Sequence, residues 1–365
     1  MPGVYISFPF CAQKCSFCNF ASGTFSRDLE SEYNSALLQE VSGHEWPWTP
    51  DSVYLGGGTP SNMDLEALTS VLSALPGNPW KEATIEAAPG TITREKAGTW
   101  RRLGINRVSL GAQSFDTREL KRTGRKHTAG MVAADCAILR DAGIANLNID
   151  LIAGLPHQTI GSWRESLNWI DRIRPSHVSV YMFEVDEDSR LGLEVLNNGA
   201  RYDASAMPSE ETMVELYEIA VEKLGAIGIE RYEISNFASQ GNESLHNLKY
   251  WTMAPYVGFG SDAHGFDGRV RFANAESPQE YVALMRVGKT AVVSNTTAKT
   301  EEERLFTGLR LSQGVRLTFT DWERNRAAVE RFLDAGLLES DGDIIKLTSK
   351  GVLLSNEVFQ ELLAA

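Results

Sequence analysis

Tyr5–Phe20 reads YISFPFCAQKCSFCNF. A short apolar, strand-like run stops at a proline. Three cysteines then follow, Cys11, Cys15 and Cys18, in a C-x3-C-x2-C spacing. Loops of two or three residues turn the chain back on itself, so three such thiolates can converge on one metal centre. A disulfide framework is not expected, because the only other cysteine, Cys136, lies far along the chain and does not complete a pairing pattern. A structural zinc site asks for four ligands, usually from two CxxC-like halves, and a second half is missing. The spacing alone leaves an iron–sulfur cluster, zinc or plain buried thiols open. A four-iron cluster held by three cysteines would leave one iron free for another ligand. Cys136 falls in MVAADCAILRDAG, a helical pattern in which a core cysteine is expected.

Outward from this segment, strand-like runs alternate with helical ones. The strand candidates are Val4–Phe8, Ser52–Leu55, Ala83–Ala87, Arg107–Leu110, Asn146–Ile152 and His177–Phe183. Between them, stretches such as LESEYNSALLQEV (29–41) and DLEALTSVLSAL (64–75) repeat apolar residues every three or four positions. Such alternation predicts parallel βαβ units and an α/β fold. Six units suit a partial (β/α)6, TIM-like barrel, with an open doubly wound sheet as the alternative. In either architecture, ligands gather at the carboxyl ends of the strands.

Unusual residues stand at those ends. The second strand runs into Gly56-Gly57-Gly58-Thr59-Pro60, where missing Cβ atoms let backbone approach a ligand, although a plain strand-to-helix turn with Ser61 near the N-cap reads equally simply. Glu86, Gln113 and Asp150 close the next strands, and Arg125 follows in LKRTGRKHT. Each alone is readable as a solvated rim residue. Together, around a cysteine loop, they suit an amino-acid cofactor with ribose hydroxyls and charged termini.

The cysteine spacing with its aromatic neighbours resembles that of radical SAM proteins. YISFPFC, LGGGTPS, SLGAQSFD, NIDLIAGLP, RYEISNFA and HNLKYW carry a narrower resemblance, over nearly the whole chain, to the HemN-like group of oxygen-independent coproporphyrinogen dehydrogenases. The resemblance implies a [4Fe-4S] cluster on Cys11, Cys15 and Cys18. Its fourth iron would be chelated by S-adenosylmethionine (SAM), which the reduced cluster cleaves to a 5′-deoxyadenosyl radical. It also implies that Tyr5 lies beside the cofactor and that Gly57, Gly58 and Thr59 meet the methionine amino end. Glu86, Gln113, Arg125 and Asp150 would bind the rest of the SAM.

Within the group two branches compete. The dehydrogenases carry a further Cys two positions after the third, where this chain has Phe20, and a longer N-terminal arm. SLHNLKYW (244–251) matches the HNxxYW motif of the HemW-type haem chaperones. That resemblance implies haem as cargo and apo-haemoproteins as acceptors, respiratory membrane enzymes among them, with an electron donor for the cluster. His246 offers an imidazole for iron, and Tyr250 and Trp251 offer flat faces for a porphyrin. Read without the resemblance, the same residues make an aromatic cluster with a hydrogen-bonded core histidine. A radical SAM decarboxylase of coproporphyrinogen III or a HemN-like methyltransferase is the alternative function, and no catalytic residue is assigned. The chain departs from the chaperone pattern at YMFEVDEDSRLG and VGFGSDAHGF, which leaves Glu184 and Asp262 without a role and makes His264 a further polar group near the site.

The 365 residues carry 35 Lys+Arg against 48 Asp+Glu, a net charge of −13, with 42% apolar residues. The apolar share predicts a folded chain, and the acidity excludes a general nucleic-acid binder. The longest uncharged stretch, Ala67–Trp80, contains two prolines and is too short to span a bilayer, so no transmembrane segment is expected. The opening residues read as a strand, not a basic leader, so a cytoplasmic protein is expected. Three segments are expected: a radical SAM core over 1–235, an extension with HNLKYW over 236–298 and a module over 299–365, with Gly199–Ala298 expected to wrap the open end of the barrel. In the last, EEERLFTGLRLSQGVRL and DWERNRAAVERFLDAGLLE predict helices, ESDGDIIKLT a hairpin and SKGVLLSNEVFQELL a closing helix. The whole is winged-helix-like, and its acidity points to packing or partner contact.

Overall fold

The computed structural model describes residues 1–364. The six strand candidates form β1 (Gly3–Phe8), β2 (Ser52–Gly57), β3 (Glu82–Ala87), β4 (Arg107–Gln113), β5 (Asn146–Ala153) and β6 (His177–Met182). They pair in parallel and in chain order. A doubly wound sheet reverses at a switch point. This order never reverses, which leaves the partial barrel. The crossovers contain α1 (Arg27–Gly43), α2 (Leu65–Ser73), α3 (Arg94–Arg102), α4 (Thr117–Arg122), α5 (Ala129–Asp141) and α6 (Ile160–Ile173). Asp64, not Ser61, caps α2; the Ser61 hydroxyl pairs instead with Thr91 at 2.7 Å.

The side-chain period of two divides the sheet into contrasting faces. Val4, Ile6, Phe8, Val53, Leu55, Ile85, Val108, Leu110, Ile149 and Val178 are buried on the outer face in the main core. Their in-register alternates point inward, in rows such as Tyr5–Tyr54–Thr84 and Glu86–Ser109–Asn148–His177. The sheet therefore curls around a polar lumen. Cys136 is buried in α5, where burial pushes its thiol up to about 12.

After β6 come α7 (Arg190–Leu196) and α8 (Glu210–Ala226). The strands of Gly199–Ala298, expected to wrap the open end, instead prolong both edges into a twelve-stranded sheet. β7 (Glu230–Arg231) and β8 (Asn236–Ala238) add antiparallel beyond β6. β9 (Tyr256–Phe259) pairs in parallel with β1, and β10 (His264–Phe266), β11 (Val270–Asn274) and β12 (Val292–Thr297) continue outward. Helices α9 (Leu245–Trp251) and α10 (Pro278–Arg286) are set between these strands.

The last part contains α11 (Thr300–Leu309), β13 (Val315–Arg316), α12 (Phe319–Asp334), β14 (Leu338–Asp341), β15 (Ile344–Leu347), α13 (Ser349–Leu353) and α14 (Ser355–Ala364). The helix expected through LSQGVRL stops short, because Gly314 takes φ +73° and Val315–Arg316 pairs with β15. The expected hairpin turns at Gly342, with φ +62°.

Candidate functional site

The cysteine loop follows β1 and lies at the carboxyl end of the barrel. The Phe8–Phe10 backbone is stitched to the glycine turn: Gly58 N–H donates to Phe8 O at 2.8 Å and Thr59 N–H to Phe10 O at 3.0 Å. A Cβ on Gly58 would meet the Pro9 carbonyl carbon at 2.7 Å, so the two loops close only around glycine. Gly57 takes φ +105°, which favours glycine as well. The Thr59 hydroxyl donates to the Cys11 sulfur at 3.5 Å.

All three thiols are free and partly buried. Among the described residues no three His, Cys, Asp or Glu side chains stand close enough to hold a single metal ion. Thiolates on a four-iron cluster bind different irons and need a wider spread. Burial raises the Cys11 and Cys15 thiols. Thr59 and Ser22 oppose this at Cys11, and the Arg125 guanidinium opposes it at Cys15. Arg125 donates to Gly111 O at 3.2 Å, and its buried Nε has no partner. Gln113 comes to the same place, since a Cβ on Gly111 would lie 3.0 Å from its amide nitrogen and 3.5 Å from the Arg125 guanidinium. Gln113 holds φ +67° after a register shift in β4, a backbone conformation that non-glycine residues rarely adopt.

Deeper in the lumen, Tyr54 donates to Glu86 at 2.9 Å and its ring stacks on Tyr5. Burial, reinforced by the nearby Asp150 carboxylate, raises Glu86 to about 7. Asp150 is raised by burial against hydrogen bonds from Ser179, Asn148 and Ser109. Asn148 is the hub, donating to Ser109 at 2.7 Å, Asp150 at 2.7 Å and Ser179 at 3.0 Å while its oxygen contacts His177 at 2.6 Å. Tyr54, Ser109, Asn148 and His177 were absent from the expected set. Their signal was the inward alternation of polar residues within apolar strands.

The HNLKYW helix, α9, lies at the opposite end, against the starts of β2 and β3. Glu82 accepts from Leu245 N–H and His246 N–H, each at 3.0 Å, and from the Ser244 hydroxyl at 3.3 Å. Lys249 pairs with Asp51 at 2.7 Å. His246 is fully buried, with Nδ1 3.1 Å from the Ser52 hydroxyl and Nε2 2.9 Å from the Tyr250 hydroxyl. Neither nitrogen faces open space, so the imidazole reaches an iron only if the helix opens. Trp251 packs under the Arg310 guanidinium at 4.2 Å.

The expected residues thus divide into three levels. The cysteines, Gly57, Gly58, Thr59, Gln113 and Arg125 surround the mouth. Tyr5, Glu86 and Asp150 line the lumen, and His246, Tyr250 and Trp251 form its floor. Glu184 is exposed after β6. His264 is exposed on β10, 3.9 Å from Asp262, and lies outside these groups.

Burial holds His246 down to about 3 and His127 to about 4, and lowers His177 in the same direction. The unfolded imidazoles take protons near 6.5, so acid favours the unfolded chain. Each of these imidazoles contributes fully above pH 6.5 and less as the pH drops through this window, whereas Glu86, raised to about 7, contributes in the opposite sense. At pH 5 His246 alone accounts for up to about 2 kcal/mol. Urea denaturation of wild type and His246→Gln between pH 7.5 and 5 checks this, and the same pH profile in both would refute it.

The fold and mouth define a class, and comparison with known proteins agrees. The Radical SAM superfamily model matches residues 5–170 and the HemN C-terminal domain model matches 301–354. The chain is 32% identical to the haem chaperone HemW of Bacillus subtilis, over 98% of both chains. It is 27% identical to Escherichia coli HemW, over 99% of this chain and 98% of that one. The coproporphyrinogen III oxidase HemN of Escherichia coli shares the fold, with a TM-score of 0.86 at 20% identity, over 99% of this chain and 90% of that one. The chain is a radical SAM superfamily protein. Within that superfamily it belongs to the HemW haem-chaperone family.

Membership implies a [4Fe-4S] cluster and SAM. The mouth suits them, with three free thiols, a glycine cradle that a Cβ would fill and an unpartnered guanidinium nitrogen. When bound, the pair supplies one-electron chemistry on the cofactor. The protein's own residues shield the thiols, set charge beside Cys15 and present carboxylates along the lumen. Among the described residues no helix is long and apolar enough to cross a membrane.

Proposed function

We propose that the chain is a haem chaperone that binds haem and passes it to apo-haemoproteins. The observation that carries this reading is similarity to HemW chaperones along essentially the full length of both chains, C-terminal module included. Phe20, 63% exposed at the loop rim, stands where the dehydrogenases carry their additional cysteine, which supports a carrier over a porphyrinogen decarboxylase or methyltransferase. Cys11, Cys15 and Cys18 hold the cluster. Gly57, Gly58 and Thr59 receive the amino end of SAM, with Tyr5, Glu86, Gln113, Arg125 and Asp150 along the remainder. His246, Tyr250 and Trp251 form the HNLKYW floor, which steadies the Tyr5–Tyr54–Glu86 wall. Respiratory membrane enzymes are the acceptors, reached from the cytoplasm, and a reduced electron carrier feeds the cluster.

The test is haem loading and transfer. The cluster-loaded protein is expected to develop a Soret band on titration with haem and to pass that haem to an apo-haemoprotein. Absence of a Soret band would overturn the reading. Loss of carboxylates from coproporphyrinogen III, incubated with SAM under reducing conditions, would favour the enzyme instead.

A further inference from the structure

A cleft lies outside the barrel lumen, on the helix-covered side of the extended sheet. It occupies about 790 Å³ between the carboxyl ends of α1 and α10, over β9, β11 and β12. Phe259, Phe272 and Met285 give it apolar walls, and His44, Asn274 and Lys289 supply polar groups. The volume is within the range of small-molecule sites. We propose that this cleft is the haem-binding site, with His44 as the iron ligand. The proposal rests on the haem-chaperone reading and assigns that cargo a place.

His44 follows α1 directly and is half-buried. Its ring is held edge-on by Trp46 at 4.7 Å and Phe259 at 5.2 Å, contacts that orient the imidazole without engaging its nitrogens. Burial lowers its pKa, so a neutral lone pair is present at physiological pH. His246 offers the reverse, full burial with both nitrogens engaged. Lys289 gives a cation suited to a propionate.

Asn274 adds a buried polar group to the wall of the cleft. It is 3% exposed and lines the cleft, and its amide nitrogen donates to Glu40 at 2.8 Å and to Gly260 O at 2.9 Å. Those bonds fix the amide orientation and leave its buried oxygen without a partner. Such an acceptor is costly unless a ligand or a water carried in with it supplies a donor.

The cleft is also tied to the cluster loop. Glu40 accepts from Gly260 N–H at 2.8 Å, the neighbouring Ser261 N–H donates to Tyr33 at 2.9 Å, and Tyr33 donates to Ser7 O at 2.8 Å near the end of β1. Haem and SAM would occupy opposite faces of one sheet without competing for space.

Haem titration of the full-length, cluster-loaded chain tests the site, with His44→Ala, Val292→Trp and His246→Gln beside wild type. Val292→Trp fills the cleft from its partly exposed side. His44→Ala and Val292→Trp are each expected to weaken binding at least about tenfold, the scale of a lost ligand or supporting contact. Their thermal midpoints should stay near wild type, and His44→Ala should lose the histidine-ligated haem spectrum. A Soret band lost in His246→Gln and kept in His44→Ala would put the haem at α9 and overturn the cleft site. Wild-type affinity and spectrum in both cleft variants would overturn the site while the chaperone reading stands. Absence of haem binding by wild type would overturn both.

Discussion

A Gly58→Val chain is expected to lose its cluster and with it SAM binding. The added side chain has no route of escape. The first carbon alone would sit 2.7 Å from the Pro9 carbonyl carbon, 2.8 Å from Pro9 O and 2.9 Å from Phe10 O, all backbone atoms. The glycine turn and the cysteine loop must then separate, breaking the bonds from Gly58 N–H to Phe8 O and from Thr59 N–H to Phe10 O. Thr59 would leave the Cys11 sulfur, and Cys11 would lose its register with Cys15 and Cys18. Overpacking of this kind costs about 1–3 kcal/mol of stability, and disturbed support of a metal ligand costs about 10–100-fold in metal affinity. Iron and sulfide analysis after anaerobic reconstitution measures the loss. Cys15→Ala is the comparison: it should lose the cluster equally while keeping the apo-protein's thermal midpoint, because it removes a ligand without forcing the loops apart. A Gly58→Val chain with a full cluster would refute the proposed cradle.

Glu82→Ala is expected to destabilise the fold by about 3–5 kcal/mol, the usual scale when a buried charged group's partners are stranded. Glu82 is 3% exposed and takes three donors from the start of α9. Its carboxylate also meets the positive end of that helix. With alanine there, the buried His246 N–H and Ser244 hydroxyl lose their acceptor, as does the less buried Leu245 N–H, and each stranded buried group costs about 1–3 kcal/mol. The floor of the lumen should loosen and carry His246 and the Tyr5–Tyr54 wall with it. Urea denaturation gives the energy and near-ultraviolet circular dichroism the loss of aromatic packing. Glu82→Gln keeps an acceptor and should lose less. A loss below about 1 kcal/mol in Glu82→Ala would mean that α9 is held chiefly by Lys249 and Asp51.

Much of the barrel was legible because its signals are local. Strand and helix periods, the cysteine spacing and the glycine turn each act over a few residues, and all six strands occur where the pattern predicts them. The inward polar row was also visible in principle. Asn148 and Asp150 in LNIDLI alternate with apolar residues, as a strand lining a wet lumen requires. Of the two, Asp150 is the easier to read, because a carboxylate within an apolar strand is a stronger signal than an amide two positions earlier. The edges were less legible. That β9 pairs with β1 follows from contacts between segments separated by most of the barrel, and no local pattern in YVGF specifies a partner.

HNLKYW marks the division most clearly. Its sequence determines a short helix capped by Ser244, and its spacing places His246 and Tyr250 on one face. Whether that face meets cargo or core depends on Glu82, Ser52 and Asp51, which are distant in sequence and come together only when the barrel closes. The same holds for His44, an unremarked residue at a helix end until β9, β11 and β12 build a cleft beside it. The sequence by itself determined the thiol set, the glycine turn and the alternation of strands with helices, since spacing and period are properties of a chain. Only the tertiary structure decided that His246 is buried with both ring nitrogens engaged while His44 is half-buried with neither engaged, because burial and hydrogen-bond partners are properties of a packed surface.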